Sequence, residues 1–198
     1  KALAGVGSTG SLSILVLGFC IGVCNGFAIP VAQKFGEGDE AELRRFVANS
    51  VWLSVIFAAV MTVVVCILCR QILIWMDTPA NILEGSYRYI FVIFLGIPVT
   101  YLYNLLSGIM RALGDSKTPL IFLILSSVLN ILFDLGAILI LHMGVTGAAW
   151  ATVTAQAISG VLCLIYMKKK YTILKISKDE WKLNGSCIAR LCGMGIPM

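Results

Sequence analysis

Five apolar runs, each long enough to cross a bilayer, constrain this chain more than any other feature. They lie at about 11–33, 46–69, 87–110, 119–141 and 147–167, and a sixth begins near Ala189. A membrane-crossing helix needs ~20 mostly apolar residues, and each run supplies them. Barrel strands are excluded, because the runs are too long and show no period-two alternation. Only 13% of the residues are charged and 59% are hydrophobic, with a mean hydropathy of +0.95. A soluble domain carries roughly 25% charge, and a chain this apolar would leave large greasy patches in water. The expected fold class is an all-α membrane protein, a polytopic bundle of transmembrane helices.

Helix punctuation separates the runs. Gly36 is expected to close the first span, and Asp39 with Glu42 resembles a capping box that opens a short helix before the second. Gly114 is expected to cap the third span, and Thr118-Pro119 to start the fourth as N-cap and first helical residue. Gly144 would close the fourth span and the Gly147 region open the fifth, so a very short turn sets these two helices antiparallel. The chain starts at Lys1, in an Ala4-Gly5-Val6-Gly7 stretch that reads as loop, and stops at Met198 just inside a new apolar run. Both ends are expected to be cuts from a longer polypeptide.

Charge distribution sets the orientation. Lys34, Arg44, Arg45, Arg111, Lys117, the Lys168–Lys182 group and Arg190 fall on one side, against Lys1, Arg70 and Arg88 on the other. The positive-inside bias makes the first side cytoplasmic and places the chain as a multi-pass protein of the cell (plasma) membrane. The net charge of +5 therefore belongs to a lipid-facing edge, and no nucleic-acid partner is expected. The seven cysteines fall mostly in apolar runs, where thiols pack as small hydrophobes. Cys66 and Cys69 have metal or redox spacing without a second pair, and His142 sits at the outer end of the fourth span as a wet interfacial residue.

Asp134 is the only acidic residue deep in a span. A carboxylate there costs at least ~2.5–3.5 kcal/mol, so it needs a partner, a proton or a cation. Asn130 lies on the same helix face, with Ser126 and Ser127 extending the stripe, while Thr152, Gln156 and Ser159 form a stripe on the next helix. Counted from the short turn, Asp134 lies level with Thr152, and Asn130 with Gln156. Carboxylate, amide and hydroxyl oxygens suit a hard cation such as Na+, and the carboxylate alone suits a proton. The bland alternative is polar glue between helices. Asn25, Tyr101 and Asn104 are weaker candidates for a substrate cavity, beside Pro30 and Pro98. No pair of catalytic groups for an intramembrane enzyme and no repeated selectivity-filter sequence for a channel is visible.

Four stretches, in order, resemble the multidrug and toxic compound extrusion (MATE) transporters. They are Pro30–Gly36, the run from Gly96-Ile97-Pro98 through Leu106–Pro119, Asn130–Asp134, and Gly144–Thr152. The resemblance spans essentially the whole chain. It implies one lobe of a twelve-helix inverted-V transporter: helices two to six in 1–167, a cytoplasmic inter-lobe loop in 168–188, and the start of helix seven in 189–198. The second lobe of the same polypeptide would be its partner, with the lipid bilayer and an organic cation or amphiphile. The implied activity is alternating-access efflux in exchange for Na+ or H+, without a bound cofactor. Asn130, Asp134 and Thr152 match three positions of the family's first-lobe cation site, and the fourth lies upstream of Lys1. Gln156 is an added neighbour. A lipid-linked oligosaccharide flippase of the same superfamily is the alternative, but it favours a strongly basic cavity, and no Lys or Arg lies mid-span here.

Overall fold

A computed structural model describes residues 2–76, 78–176 and 180–195, and no strand occurs among them. Seven α-helices follow in order: α1 (Ala2–Glu37), α2 (Glu40–Trp75), α3 (Ala80–Leu95), α4 (Ile97–Ala112), α5 (Lys117–Leu135), α6 (Gly144–Lys170) and α7 (Gly185–Gly195). One π-helical turn, Gly136–Ile140, prolongs α5, and a 3-10 turn, Thr172–Leu174, follows α6. The stretch 4–7 expected as loop is helical, and α1 and α2 are each 36 residues long. At 1.5 Å per residue such helices outrun a ~30 Å hydrocarbon layer, so their polar ends project beyond it.

Local chemistry explains most boundaries. Asp39 caps α2, its Oδ1 accepting the Glu42 N–H at 3.0 Å, and the helix runs unbroken through the second span instead of forming a separate short helix. The chain turns at Gly38 (φ +74°), two residues beyond Gly36, because only there is a left-handed residue needed. Asp115 takes over the capping expected of Thr118: α5 begins at Lys117, and Asp115 accepts both the Thr118 N–H at 3.0 Å and its hydroxyl at 2.7 Å. His142 is exposed at φ +50° in the turn before Gly144. There α6 starts three residues before Gly147.

The third run is not one straight helix. It divides into Ile82–Leu95 and Ile97–Ala112, bent by 42° at Gly96-Ile97-Pro98. Pro98 withholds a backbone N–H, and Gly96 lets the bend press onto α6. A Cβ at Gly96 would meet Val153 Cγ2 at 2.5 Å. Four further helices, Thr9–Glu37, Glu40–Trp75, Lys117–Ile140 and Gly144–Lys170, are long and apolar enough to cross a membrane. With the bent pair counted as one span, up to five segments of the described chain are long and apolar enough to cross.

The packed interior lies among α1, α2, α3, α4 and α6, around Phe27, Phe46, Phe94, Tyr101 and Ile109. α5 leans on α6 and otherwise shows its apolar side chains outward, as Leu120, Ile124 and Ile131 do. An exposed apolar face of this kind suits lipid or further protein, not water.

The basic ends of the helices gather on one side. Lys170 donates to Asp115 at 2.8 Å and Tyr171 donates to the same carboxylate at 2.6 Å, joining α6 to the α4–α5 turn. Arg44 pairs with Glu180 at 2.7 Å, and Asn49 Oδ1 accepts the Asn184 N–H at 3.0 Å. Residues 180–184, just before α7, are therefore docked along the start of α2.

Candidate functional site

The site grows from two helical stripes. Asn130 and Asp134 stand one turn apart near the end of α5, and Thr152 and Gln156 one turn apart in the first half of α6. The two helices are held together at both levels. Ser159 donates to the Phe122 carbonyl at 2.8 Å toward the basic end. At the other end Gly147 admits the π turn, since a Cβ there would fall 2.7 Å from Met143 Cβ and 3.1 Å from Ala137 Cβ.

Asn130 Nδ2 donates to Thr152 Oγ1 at 3.0 Å, and the Thr152 hydroxyl donates in turn to the Ala148 carbonyl at 3.0 Å. The Thr152 hydroxyl proton is spent and one Asn130 N–H is engaged, while Asn130 Oδ1 and one lone pair of Thr152 Oγ1 stay available as acceptors. Asp134, one turn from Asn130, presents an Oδ1 that is buried and has no hydrogen-bond partner among the described residues. The Tyr89 hydroxyl of α3 lies within its electrostatic reach. A buried, unpaired carboxylate oxygen is costly, and the remedies open to it are a proton or a cation. Asp134 thus stands one helical turn from the Asn130–Thr152 bond that joins α5 to α6.

Gln156 does not join them. Its Oε1 accepts the Thr100 hydroxyl at 2.7 Å, tying α6 to α4. The level match of Asn130 with Gln156 fails because α6 starts at Gly144. Thr152 then lies eight residues into the helix, about 12 Å along it, one turn deeper than a count from Gly147 gives. The π turn after α5 adds to the offset, so Asn130 meets Thr152. Sequence reasoning missed Thr100; its signal was a position one turn before Asn104 on an otherwise apolar helix.

The three cavity candidates have different immediate surroundings. Asn25 is exposed, its Oδ1 accepting from Arg111 at 3.1 Å near the basic end of α4. Tyr101 is buried, its ring packed 5.5 Å from that of Phe57. Asn104 turns back on its own helix, donating to the Thr100 carbonyl at 2.8 Å.

Comparison with known proteins decides the family. The MatE family model matches residues 1–135, two thirds of the chain. The chain belongs to the MatE family. A probable multidrug resistance protein of Bacillus subtilis, YoeA, is 31% identical over 205 residues, covering 99% of this chain and 44% of that protein. The probable multidrug resistance protein NorM of Thermotoga maritima is 27% identical, covering 86% of this chain and 38% of its own. Among solved structures, an inward-facing multidrug resistance MATE transporter of the MOP superfamily superposes with a TM-score of 0.91 at 23% identity, over 99% of this chain and 45% of its own. An outward-facing one superposes with a TM-score of 0.86 at 24% identity, over 98% and 44%. This MatE chain thus has the fold of one transporter lobe, is a multi-pass protein of the cell membrane, and spans less than half the length of these relatives.

Proposed function

We propose that this MatE chain is the ion-coupling lobe of an antiporter that exports organic cations or amphiphiles by alternating access. The observation that carries the reading is Asp134 Oδ1, buried and unpartnered one turn from the Asn130–Thr152 bond. Asp134 is the charge-switching ligand: it takes up Na+ or H+ in one state and releases it in the other. Asn130 and Thr152 supply neutral oxygens to the same ion. Gln156, engaged by Thr100, stands outside the set.

The relatives from Bacillus subtilis and Thermotoga maritima are probable multidrug resistance proteins, which supports export over an enzymatic role. The cavity for the exported compound lies between this lobe and a second one, by the lobe arrangement the family resemblance implies. Rocking of the two lobes would expose it to each side in turn. Uphill efflux from vesicles under an imposed Na+ or H+ gradient tests the reading. Efflux of a dye cation that ignores both gradients would contradict it.

A further inference from the structure

A second feature of the lobe has no part in that account. A cavity of about 820 Å³ opens between α2, α4, the end of α6 and the segment after it. Its α2 wall runs from Val47 to Ala59 and its α4 wall from Ile109 back to Pro98. Twelve and eleven residues of helix are about 18 and 16 Å. One leaflet of a ~30 Å hydrocarbon core is about 15 Å deep, so the cavity reaches from the basic end to the midplane.

The chemistry changes along that depth. The inner walls are mostly apolar, with Val55, Ala59, Leu102 and Leu106, and hold two hydroxyl residues, Ser54 and Tyr101. The mouth carries Lys168 and Lys175 beside Tyr171 and Trp181. Both lysines are exposed, and neither makes a salt bridge with a described residue, unlike Lys34, Arg44 and Lys170 nearby. Aromatic side chains of this amphipathic kind settle at the headgroup level of a bilayer. An apolar slot one leaflet deep under two uncompensated cations matches one kind of molecule.

The geometry points to a site for an anionic phospholipid of the same leaflet, its acyl chain between α2 and α4 and its phosphate at Lys168 and Lys175. Basic pockets between transmembrane helices hold anionic headgroups in this way. Leu174, Lys175, Ile176 and Trp181 belong to the segment that joins α6 to α7. A lipid seated here bridges that segment to α2 and α4, so it steadies the connection without touching Asp134.

The test uses the full-length protein in detergent and phosphatidylglycerol with a photoreactive acyl chain. Crosslinks are expected on α2 between residues 51 and 59 and on α4 between 98 and 106. Unlabelled phosphatidylglycerol should compete at roughly thirty-fold lower concentration than phosphatidylcholine with the same chains, from two lysines near the surface. The Lys168→Gln, Lys175→Gln double variant should lose that preference while keeping some labelling. Ala59→Trp, placed on an exposed lining position, should block the chain and abolish labelling with the lysines intact. Equal competition by the two lipids would overturn the site, as would labelling indifferent to Ala59→Trp. Full competition by glycerol phosphate alone would reduce it to a headgroup anion site and overturn the acyl-chain assignment.

Discussion

At the scale of single residues, two carboxylates show how differently the same group is used. Asp115 lies outside the membrane and is fully partnered: the Lys170 ammonium, then Tyr171 and Thr118, hold its carboxyl well below the usual carboxylate range. A group with a depressed pKa in the folded state stabilises the fold above its unfolded pKa. That stability drains away as pH falls through the ordinary carboxylate value near ~4 and on through the folded one. Asp115→Asn should therefore lower the melting temperature at neutral pH, and its gap to wild type should narrow toward pH ~3. A gap of equal size at both pH values would contradict the assignment. Burial and the Asp115 bond push the Tyr171 hydroxyl up to about 12, so it remains a donor across this range. Asp134 has no such partners, which is why it is read as functional. Its neutral neighbours offer a graded comparison. Asn130→Ala and Thr152→Ala each remove a bond worth about 0.6 kcal/mol in a membrane and should weaken ion-driven efflux. Gln156→Ala breaks a bond of the same kind to Thr100 and should cost similar stability, with the ion dependence unchanged. Efflux assayed against the ion gradient, alongside melting temperature, distinguishes the two groups. Equal loss of ion dependence in all three variants would contradict the exclusion of Gln156.

At the scale of elements, the bend between α3 and α4 carries the lesson about legibility. Hydropathy alone reads 87–110 as one span, because the apolar run does not pause at Gly96-Ile97-Pro98. Glycine and proline announce a weak point, but only the neighbouring Val153 shows that the bend is a packing requirement. Gly96→Ala should overpack this contact at about 1–3 kcal/mol. Trimming the opposing side chain with Val153→Ala should recover part of the loss, and strictly additive melting shifts would contradict the contact. The same lesson holds at the site. Side-chain chemistry and helical spacing marked two polar stripes, the choice of Asn130, Asp134 and Thr152 within them is what the family resemblance implies, and the Asp39–Glu42 cap was readable from two residues. The pairing of stripes was not, since it depends on where α6 starts and on one π turn, and a boundary error of three residues moves a partner by nearly a full turn. Asn25, Tyr101 and Asn104 were chosen as polar residues near prolines, a signal that says nothing of which way a side chain turns. Asn25 accepts from Arg111, Tyr101 packs on Phe57, and Asn104 turns back on its own helix.

At the scale of the whole molecule, the basic helix ends and the docked segment after α6 define one face. From the lysine and arginine count we propose that the 34–45, 111–118 and 168–189 segments face the cytoplasm. A cysteine introduced at the exposed Lys175, in a full-length protein cleared of native cysteines, should react with impermeant maleimide only from the inside. Labelling from outside would reverse the topology. The path for the exported compound is proposed to lie between two lobes, so residues 1–198 reconstituted alone should drive no efflux. The central claim is that Asp134 carries the coupling charge, and it is tested most directly by Asp134→Asn in the full-length protein. Removing the charge relieves a desolvation cost within the membrane, so the melting temperature should hold or rise while ion-driven efflux disappears. Retained gradient-driven efflux with asparagine at that position would make Asp134 a packing residue and contradict the account.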